Sequence, residues 1–304
     1  MTATTGILST LSDELAGAVE RGSAAVVGVD ARQRLGASGV VWPGGFVVTA
    51  DHVLERDDNI TVALADGTKV AATIAGRDPG SDLAILKLES GAPAPASLAP
   101  ADSVRVGHFV LALGRPSGEA AMASFGVVSS LSTAAWRTGR GGMVEGYIRA
   151  DVSLLPGFSG GPLVDTQGRI IGLNSYYLAQ GQEIAVPAAA VSAIVASLQA
   201  DGRIRRAYLG VTSQPVRLSA AIQQVLGTEQ ATGLMLIGVE TDSPAEKSGL
   251  LIGDILVAVA GSRVGDPEDL RVALGAVSVG QATPVTVVRG GQRQELTVTP
   301  GERS

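Results

Sequence analysis

The sequence predicts an all-β domain followed by a small α+β domain. Short runs rich in β-branched residues, separated by turn residues, fill the region from 23 to 186 of the 304-residue chain. This pattern is typical of a β-barrel or β-sandwich. A helical pattern interrupts the short runs near residue 190, and mixed strand and helix patterns follow it over 208–304. The length of the chain fits two domains.

Residues 1–22 are predicted to form an amphipathic helix. The apolar residues that recur there at helical spacing are Ile7, Leu8, Leu11, Leu15 and Val19. The segment has neither the basic start nor the uninterrupted apolar stretch of a secretory signal, and no run approaches the roughly 18 apolar residues of a membrane span. We therefore expect a cytoplasmic protein without a membrane span. A periplasmic or extracytoplasmic location is expected instead if the printed sequence is a trimmed form of a longer one.

Residues 23–200 are predicted to be one β-rich domain that a helix closes. Tight-turn signals such as Pro43-Gly44-Gly45 and Asp66-Gly67-Thr68 separate neighbouring runs. The predicted strands are Ala24–Val29, Gly39–Trp42, Phe46–Thr49, Ile60–Leu64, Val70–Ile74, Leu83–Leu88, Phe109–Leu113, Gly126–Leu131, Tyr147–Ala150, Leu163–Asp165 and Ile170–Asn174. Apolar residues at spacings of three and four predict the closing helix over Pro187–Leu198.

Residues 201–207 are predicted to be a linker, and residues 208–304 the second domain. The arginines of the linker could bind an anionic partner, but a solvated connector is the simpler interpretation. The predicted strands of the second domain are Tyr208–Val211, Gly233–Val239, a third that follows Gly249–Leu256, and a hairpin of Pro284–Arg289 and Glu295–Thr299. A helix is predicted to start at Asp266-Pro267, with Asp266 as its cap.

The composition excludes several classes of function. Hydrophobic residues make up 45% of the chain and charged residues 17%, as in a globular protein. The formal charge of -6 gives no basic field for nucleic acid. The chain has no cysteine, and its two histidines lie far apart without metal-ligand spacing. We therefore expect no nucleic-acid partner, no metal and no cofactor.

Three residues can form a nucleophilic site. Ser159 lies in the glycine-rich segment Gly157-Phe-Ser-Gly-Gly161, where a tight turn exposes backbone amides beside a hydroxyl. His52 follows a predicted strand, and Asp82 precedes another. The order His, Asp, Ser is that of chymotrypsin-like proteases and differs from the orders of subtilisin and the α/β-hydrolases. The other histidine, His108, is expected to face solvent.

The segments around these residues resemble the HtrA/Deg serine proteases. The resemblance lies in Thr49-Ala-Asp-His-Val53, Ser81-Asp-Leu-Ala-Ile-Leu86 and Pro156-Gly-Phe-Ser-Gly-Gly-Pro-Leu163, in this order. It implies two six-stranded β-barrels of chymotrypsin type, with the triad in the cleft between them. The backbone amides of Gly157 and Ser159 would form the oxyanion hole, and Leu154 would line a primary specificity pocket that favours small or medium aliphatic side chains.

Two positions depart from the family pattern. Phe158 stands where HtrA proteins usually carry asparagine before the serine, and Leu155 stands where another asparagine is usual. Because an oxyanion hole uses backbone amides, these changes need not abolish chemistry. They are expected to alter how readily the loop adopts its active shape.

The second domain resembles the PDZ domain that follows the protease domain in HtrA proteins. Its carboxylate-binding loop would be Tyr208-Leu209-Gly210-Val211. A peptide C-terminus would add a strand beside this segment, and Leu270 and Leu274 would line the pocket for the last side chain. The alternative is that these two leucines only pack the core of the domain.

The predicted function is a serine endopeptidase that cleaves unfolded or misfolded proteins, with a PDZ domain that binds peptide C-termini. The alternative is a peptide-binding or chaperone-like protein with a latent or weakly active protease site. The resemblance also implies a homotrimer.

Overall fold

The first two-thirds of the chain fold into two closed β-barrels. In the computed structural model, residues 6–33, 35–91, 93–179, 182–204 and 207–302 are described. Two units are distinguished, residues 1–204 and 205–304. In the described part of the chain, no helix is long and apolar enough to cross a membrane.

The first barrel contains the strands that follow the N-terminal helix. They are β1 (Val26–Asp30), β2 (Ala37–Trp42), β3 (Phe46–Ala50), β4 (Ile60–Ala63), β5 (Lys69–Asp78) and β6 (Leu83–Leu88). The barrel closes in the order β1-β2-β3-β6-β5-β4, and a one-turn 3₁₀ helix, Asp51–Val53, follows β3. Valine side chains and the buried Trp42 contribute to its interior. The predicted strands of this region all form. Strand β5 extends four residues beyond the predicted end at Ile74, and the other strand ends differ by two residues or fewer.

The second barrel is built from the next six strands. They are β7 (Phe109–Gly114), β8 (Met122–Arg137), β9 (Met143–Ala150), β10 (Pro162–Asp165), β11 (Ile170–Ala179) and β12 (Gln182–Pro187). It closes in the order β10-β11-β12-β9-β8-β7. The sequence did not predict β12, and it predicted a much shorter β8. Much of the extra length of β8 is exposed and does not alternate between apolar and polar residues, so its pairing with β7 and β9 is what reveals it as a strand.

Two helices pack on the barrels. Helix α1 (Ile7–Ser23) buries Ala18 and lies against β7 and β10 of the second barrel; residues 1–5 of the predicted helix lie outside the described part. Helix α2 (Ala188–Asp201) contacts strands of both barrels, namely β5, β6 and β11. It ends at Gly202, which adopts the left-handed conformation that commonly terminates helices. Helix α2 therefore joins the two barrels on one side.

The second unit is a sheet with three short helices. Its strands are β13 (Ala207–Tyr208), β14 (Val211–Arg217), β15 (Thr232–Val239), β16 (Ile255–Val259), β17 (Ser262–Arg263), β18 (Thr283–Arg289), β19 (Gln292–Val298) and β20 (Gly301–Glu302). Its helices are α3 (Ala220–Leu226), α4 (Pro244–Lys247) and α5 (Pro267–Gly275). The main sheet has the order β14-β15-β16-β18-β19, which leaves β14 at an edge. Helices α3 and α4 were not predicted.

Two polar contacts stabilise the second unit. The Asp266 carboxylate accepts hydrogen bonds from the amides of Glu268 (2.8 Å) and Asp269 (2.9 Å), so the predicted helix cap forms. The buried Asp254 carboxylate forms a bidentate pair with Arg289, at 2.7 Å for both contacts. Burial opposes the charge of Asp254, but the hydrogen bonds from Arg289 and the Leu251 amide outweigh it and lower the pKa of Asp254.

The segment between the last helix of the first unit and the first strand of the second is shorter than the predicted linker, residues 201–207. Asp201 is the last residue of α2, and Ala207 already belongs to β13. Arg203 forms an isolated bridge with Arg77 of β5. Residues 205 and 206 of this segment lie outside the described part, as do residues 303 and 304 of the second domain.

Candidate active site

The pairing of β3 with β6 brings His52 and Asp82 together. Ala50, the last residue of β3, pairs with Leu83, the first residue of β6. The amide of Asp51 donates a hydrogen bond of 3.0 Å to the carbonyl of Asp82. The two side chains therefore project from adjacent strand ends, and strand pairing brings them into contact although they are distant in the sequence.

The Asp82 carboxylate is buried and satisfied. Nδ1 of His52 lies 2.9 Å from Oδ1 and 2.7 Å from Oδ2 of Asp82, and the His52 amide donates to Oδ1 at 3.0 Å. The Ser175 hydroxyl donates to Oδ2 at 2.6 Å. Since an ionised carboxylate only accepts hydrogen bonds, neutral His52 carries its proton on Nδ1. Its Nε2 is then the atom that can accept a proton.

A turn at the start of the serine loop presents two backbone amides. The Phe158 amide donates to the Leu155 carbonyl at 3.0 Å, and Gly157, the third residue of this turn, has φ of +85°. This is the position of a type II turn that requires positive φ, with proline before it. Among the described residues, the amides of Gly157 and Ser159 donate to no acceptor. Both are available to an oxygen atom in the cleft.

Ser38 of the first barrel holds this turn in place. Its hydroxyl donates to the Gly157 carbonyl at 2.7 Å, and its amide donates to the Ser159 carbonyl at 3.3 Å. The same hydroxyl accepts a hydrogen bond of 2.9 Å from the Arg115 amide. These bonds connect the serine loop of the second barrel to β2 of the first.

His52 and Ser159 line one cleft with a volume of about 720 Å³. The Ser159 hydroxyl accepts a hydrogen bond of 3.4 Å from the Tyr176 amide, and within the described residues it has no hydrogen bond with His52. The Tyr177 ring lies beside the imidazole, with the ring centroids 4.4 Å apart. Catalytic hydrogen bonds are often long in the absence of substrate, so this arrangement is compatible with a serine–histidine pair.

A second buried carboxylate beside His52 is neutralised by arginines. Asp51 is 2% exposed, and its carboxylate pairs with Arg77 Nε at 2.7 Å and with Arg140 Nη2 at 3.3 Å. Arg140 comes from the turn between β8 and β9 of the second barrel. The pair therefore bridges the two barrels at the edge of the cleft.

The two residues that depart from the family pattern have different surroundings. The Phe158 side chain is fully buried in the core of the second barrel. Its ring lies so close to Gly114 that a Cβ atom at residue 114 would be 2.6 Å from Phe158 Cδ1. Leu155 is half-buried and lines the cleft. Phe158 therefore anchors the serine loop in the barrel.

Leu154 lies where a pocket residue is expected. It lines the cleft that contains Ser159 and also a small cavity behind it. Its amide donates a hydrogen bond of 3.2 Å to Oε1 of Glu183 on β12. The sequence gives no local sign of this contact, because Glu183 reaches Leu154 only through the placement of β12.

The predicted peptide-binding residues lie together in the second unit. Tyr208 ends β13 and its hydroxyl contacts Glu240; Leu209 is buried, and Gly210 has φ of +82°. Val211 begins the edge strand β14, which α5 contacts. Leu270 and Leu274 of α5 both contribute to the hydrophobic core, Leu270 buried with 8% of its surface exposed and Leu274 partly buried. Both leucines therefore pack in the core, Leu274 retains an accessible part, and the peptide-pocket role of each stays a prediction.

The second histidine, His108, lies away from the cleft described above, and two serines that contact the site were not predicted. His108 is half-buried in a turn before β7, and Arg105 donates to its Nε2 at 3.3 Å. Sequence analysis missed Ser38 and Ser175, which contact the serine loop and Asp82. Neither serine has a local sequence signal, because its contact depends on how distant strands are paired.

Comparisons with known proteins agree with this geometry. A sequence model of the trypsin-like peptidase domain matches residues 37–173, and one of the PDZ domain matches residues 207–299. The structure of the HtrA-type protease AlgW with a tripeptide is 30% identical, with a TM-score of 0.74, over 95% of this chain and 97% of that chain. The chain belongs to the HtrA-type serine proteases. The predicted family and the predicted fold, two chymotrypsin-type barrels followed by a PDZ domain, are confirmed.

Other HtrA-type relatives match most of the chain. The serine endoprotease from Yersinia pestis is 28% identical, with a TM-score of 0.76, over 95% of this chain and 98% of that chain. A "Probable periplasmic serine endoprotease DegP-like" of Ectopseudomonas mendocina is 33% identical over 88% of this chain and 56% of its own length. The chain thus spans about half the length of the curated relatives it matches.

The predicted cytoplasmic location is wrong. Several relatives with 31% to 33% identity are named periplasmic endoproteases. The prediction rested on the composition of the first residues of the sequence. A compartment is determined by targeting signals and leaves no reliable mark on the folded domains that these relatives share with HtrA-type proteases.

Proposed function

We propose that this protein is a serine endopeptidase that cleaves unfolded or misfolded polypeptides outside the cytoplasm. His52, Asp82 and Ser159 would form its triad. The observation that carries the proposal is the buried Asp82 carboxylate, which fixes His52 in one tautomer beside a cleft that also contains Ser159. An unfolded polypeptide suits such a cleft because its backbone, which no tertiary structure constrains, can extend along the cleft to Ser159.

The proposed reaction begins with attack of the Ser159 hydroxyl on the scissile carbonyl. His52 Nε2 accepts the hydroxyl proton and later donates a proton to the leaving amine, and Asp82 stabilises the imidazolium that forms between the two steps. Water then hydrolyses the acyl-enzyme by the same proton transfers. For attack, the Ser159 hydroxyl, which accepts a hydrogen bond from the Tyr176 amide, must turn so that it donates its proton to Nε2 of His52.

The amides of Gly157 and Ser159 are the proposed oxyanion hole. Both are free of acceptors among the described residues, and the turn that carries them is bound to Ser38. Donors that are positioned before the reaction stabilise the developing charge without reorganisation, and one such donor contributes about 100- to 1000-fold in rate. The geometry therefore supports an assembled site over the latent protease of the alternative hypothesis.

Cleavage of casein tests the proposed function. The intact protein is expected to fragment casein and to react with a serine-directed fluorophosphonate, whereas Ser159→Ala is expected to do neither. Both proteins should show the same thermal unfolding, because the change removes one hydroxyl from the cleft. If the intact protein neither fragments casein nor reacts with the probe, the chaperone-like alternative is favoured.

We also propose that the PDZ domain binds the C-termini of peptides. Edge strand β14 offers a free side for strand addition, and the loop of residues 208–211 precedes it with Gly210 at positive φ. Leu274 would contact the last side chain of the peptide. The homotrimer remains a prediction.

Peptide binding is tested with two fluorescent peptides of the same sequence, one with a free C-terminal carboxylate and one amidated. In the Ser159→Ala protein, which cannot cleave them, amidation is expected to weaken binding at least about tenfold, because charge-assisted hydrogen bonds to the carboxylate are lost. Fluorescence anisotropy measures both affinities. Equal affinities would contradict recognition of the C-terminus.

A further inference from the structure

A small cavity lies behind the serine loop, with a volume of about 10 Å³. Apolar side chains line most of it, among them Val152, Leu154 and Ile184. Two polar side chains, Asn174 and Glu183, complete the lining. The cavity has room for about one water molecule, which is the size of a hydroxyl group.

The cavity adjoins the proposed point of attack. Leu154 lines both the cavity and the cleft that contains Ser159. The backbone of Asn174 is bound directly to the serine loop. Its backbone carbonyl accepts from the Gly160 amide at 2.9 Å, and its backbone N–H donates to the Gly161 carbonyl at 2.8 Å. A substrate side chain that enters beside Leu154 would therefore reach Asn174 and Glu183.

Both polar side chains have unused hydrogen-bonding capacity. Asn174 is 2% exposed, and its Nδ2 is buried without a partner. Oε1 of Glu183 accepts from the Leu154 amide, while Oε2 has no hydrogen bond with any described residue. A buried donor without an acceptor is unfavourable, so a ligand that supplies one gains affinity. The cavity thus offers one donor and one acceptor in an apolar surrounding.

We propose that Glu183 and Asn174 make this cavity select a threonine or serine side chain in the residue before the scissile bond. A short hydroxyl side chain can donate to Glu183 and accept from Asn174 Nδ2. Valine has the shape of threonine but can do neither, and longer side chains exceed the available space. This inference rests on the proposed function, and it replaces the aliphatic preference expected from Leu154 alone.

The test compares two fluorogenic peptides that differ only in threonine or valine before the scissile bond. The ratio of the two kcat/KM values is measured for the intact protein, Glu183→Gln and Glu183→Leu. The intact protein is expected to favour threonine by about tenfold. Glu183→Gln is expected to lose most of this preference, because the Leu154 amide holds the glutamine oxygen at the Oε1 position and leaves an NH2 group, which cannot accept, facing the cavity. Glu183→Leu is expected to lose this preference. The ratio of the two kcat/KM values measured with one protein preparation does not depend on the fraction of active molecules in it.

The outcomes separate this inference from the proposed function. An intact protein that favours valine, or a threonine preference unchanged in Glu183→Leu, overturns the inference while peptide cleavage still supports the protease. If Glu183→Leu does not fold, the preference of the intact protein decides alone. If neither peptide nor casein is cleaved, the proposed function fails and the inference fails with it.

Discussion

Asp82→Asn is expected to lower kcat about 10,000-fold, because it imposes the wrong tautomer on His52. The backbone amide of His52 donates to Oδ1 of Asp82 and cannot reverse its direction. It therefore fixes the asparagine oxygen at the Oδ1 position and places the NH2 group at Oδ2, which lies 2.7 Å from Nδ1. The NH2 group then donates to Nδ1, and the imidazole carries its proton on Nε2.

Rotation of Ser175 makes this substitution structurally mild. Its hydroxyl donates to Oδ2 of Asp82 at 2.6 Å, and after the change it can turn and accept from the NH2 group. Stability should therefore change little while the chemistry is lost. Steady-state hydrolysis of a fluorogenic peptide measures kcat, and thermal unfolding provides the check on the fold.

Ser175→Ala is the matched control for Asp82→Asn. It removes one hydrogen bond from the carboxylate but leaves Nδ1 its acceptor, so we expect a loss of only about tenfold in kcat. If Asp82→Asn retains more activity than Ser175→Ala, the tautomer argument is wrong and Asp82 is not the residue that orients His52.

The sequence was informative where a side chain and its surroundings are encoded locally. His52, Asp82 and Ser159 each lie in a short motif at a strand end or in a glycine-rich turn, and the order of the three distinguishes chymotrypsin-like from other arrangements. The cap of α5 is similarly local, since Asp266 binds the amides two and three residues later.

Contacts made through strand pairing could not be predicted. Ser175 reaches Asp82 because β11 passes beside the end of β3, and Ser38 reaches the serine loop from β2. Glu183 lies beside Leu154 because β12 pairs with β11 in a fixed register, in which Ile184, the next residue, is opposite Ser175. A shift of one residue in such a register reverses every side chain, and a single sequence does not specify it. The same reason explains why β12 was missed.

Phe158→Ala is expected to lower the free energy of unfolding by about 3–5 kcal/mol, since it removes a fully buried aromatic ring. It is also expected to lower kcat about 100- to 1000-fold at a temperature where the variant is folded, because the ring anchors the turn that presents the Gly157 and Ser159 amides. Urea unfolding and peptide hydrolysis measure the two effects. Phe158→Leu, which keeps an apolar anchor, should cost about 1.5 kcal/mol or less and retain most activity.

Gly114 supplies an independent test of the same anchor. A Cβ atom at this position would lie 2.6 Å from Cδ1 and 2.9 Å from Cε1 of Phe158, and overpacking of this kind costs about 1–3 kcal/mol. Gly114→Ala should therefore destabilise the intact protein and reduce kcat. In the Phe158→Leu background the smaller side chain can yield, so the same substitution should cost less in both measurements. Equal costs in the two backgrounds would mean that Gly114 and Phe158 are not coupled and that the substitution acts through Ser38 Oγ, which lies 3.0 Å from the same Cβ position.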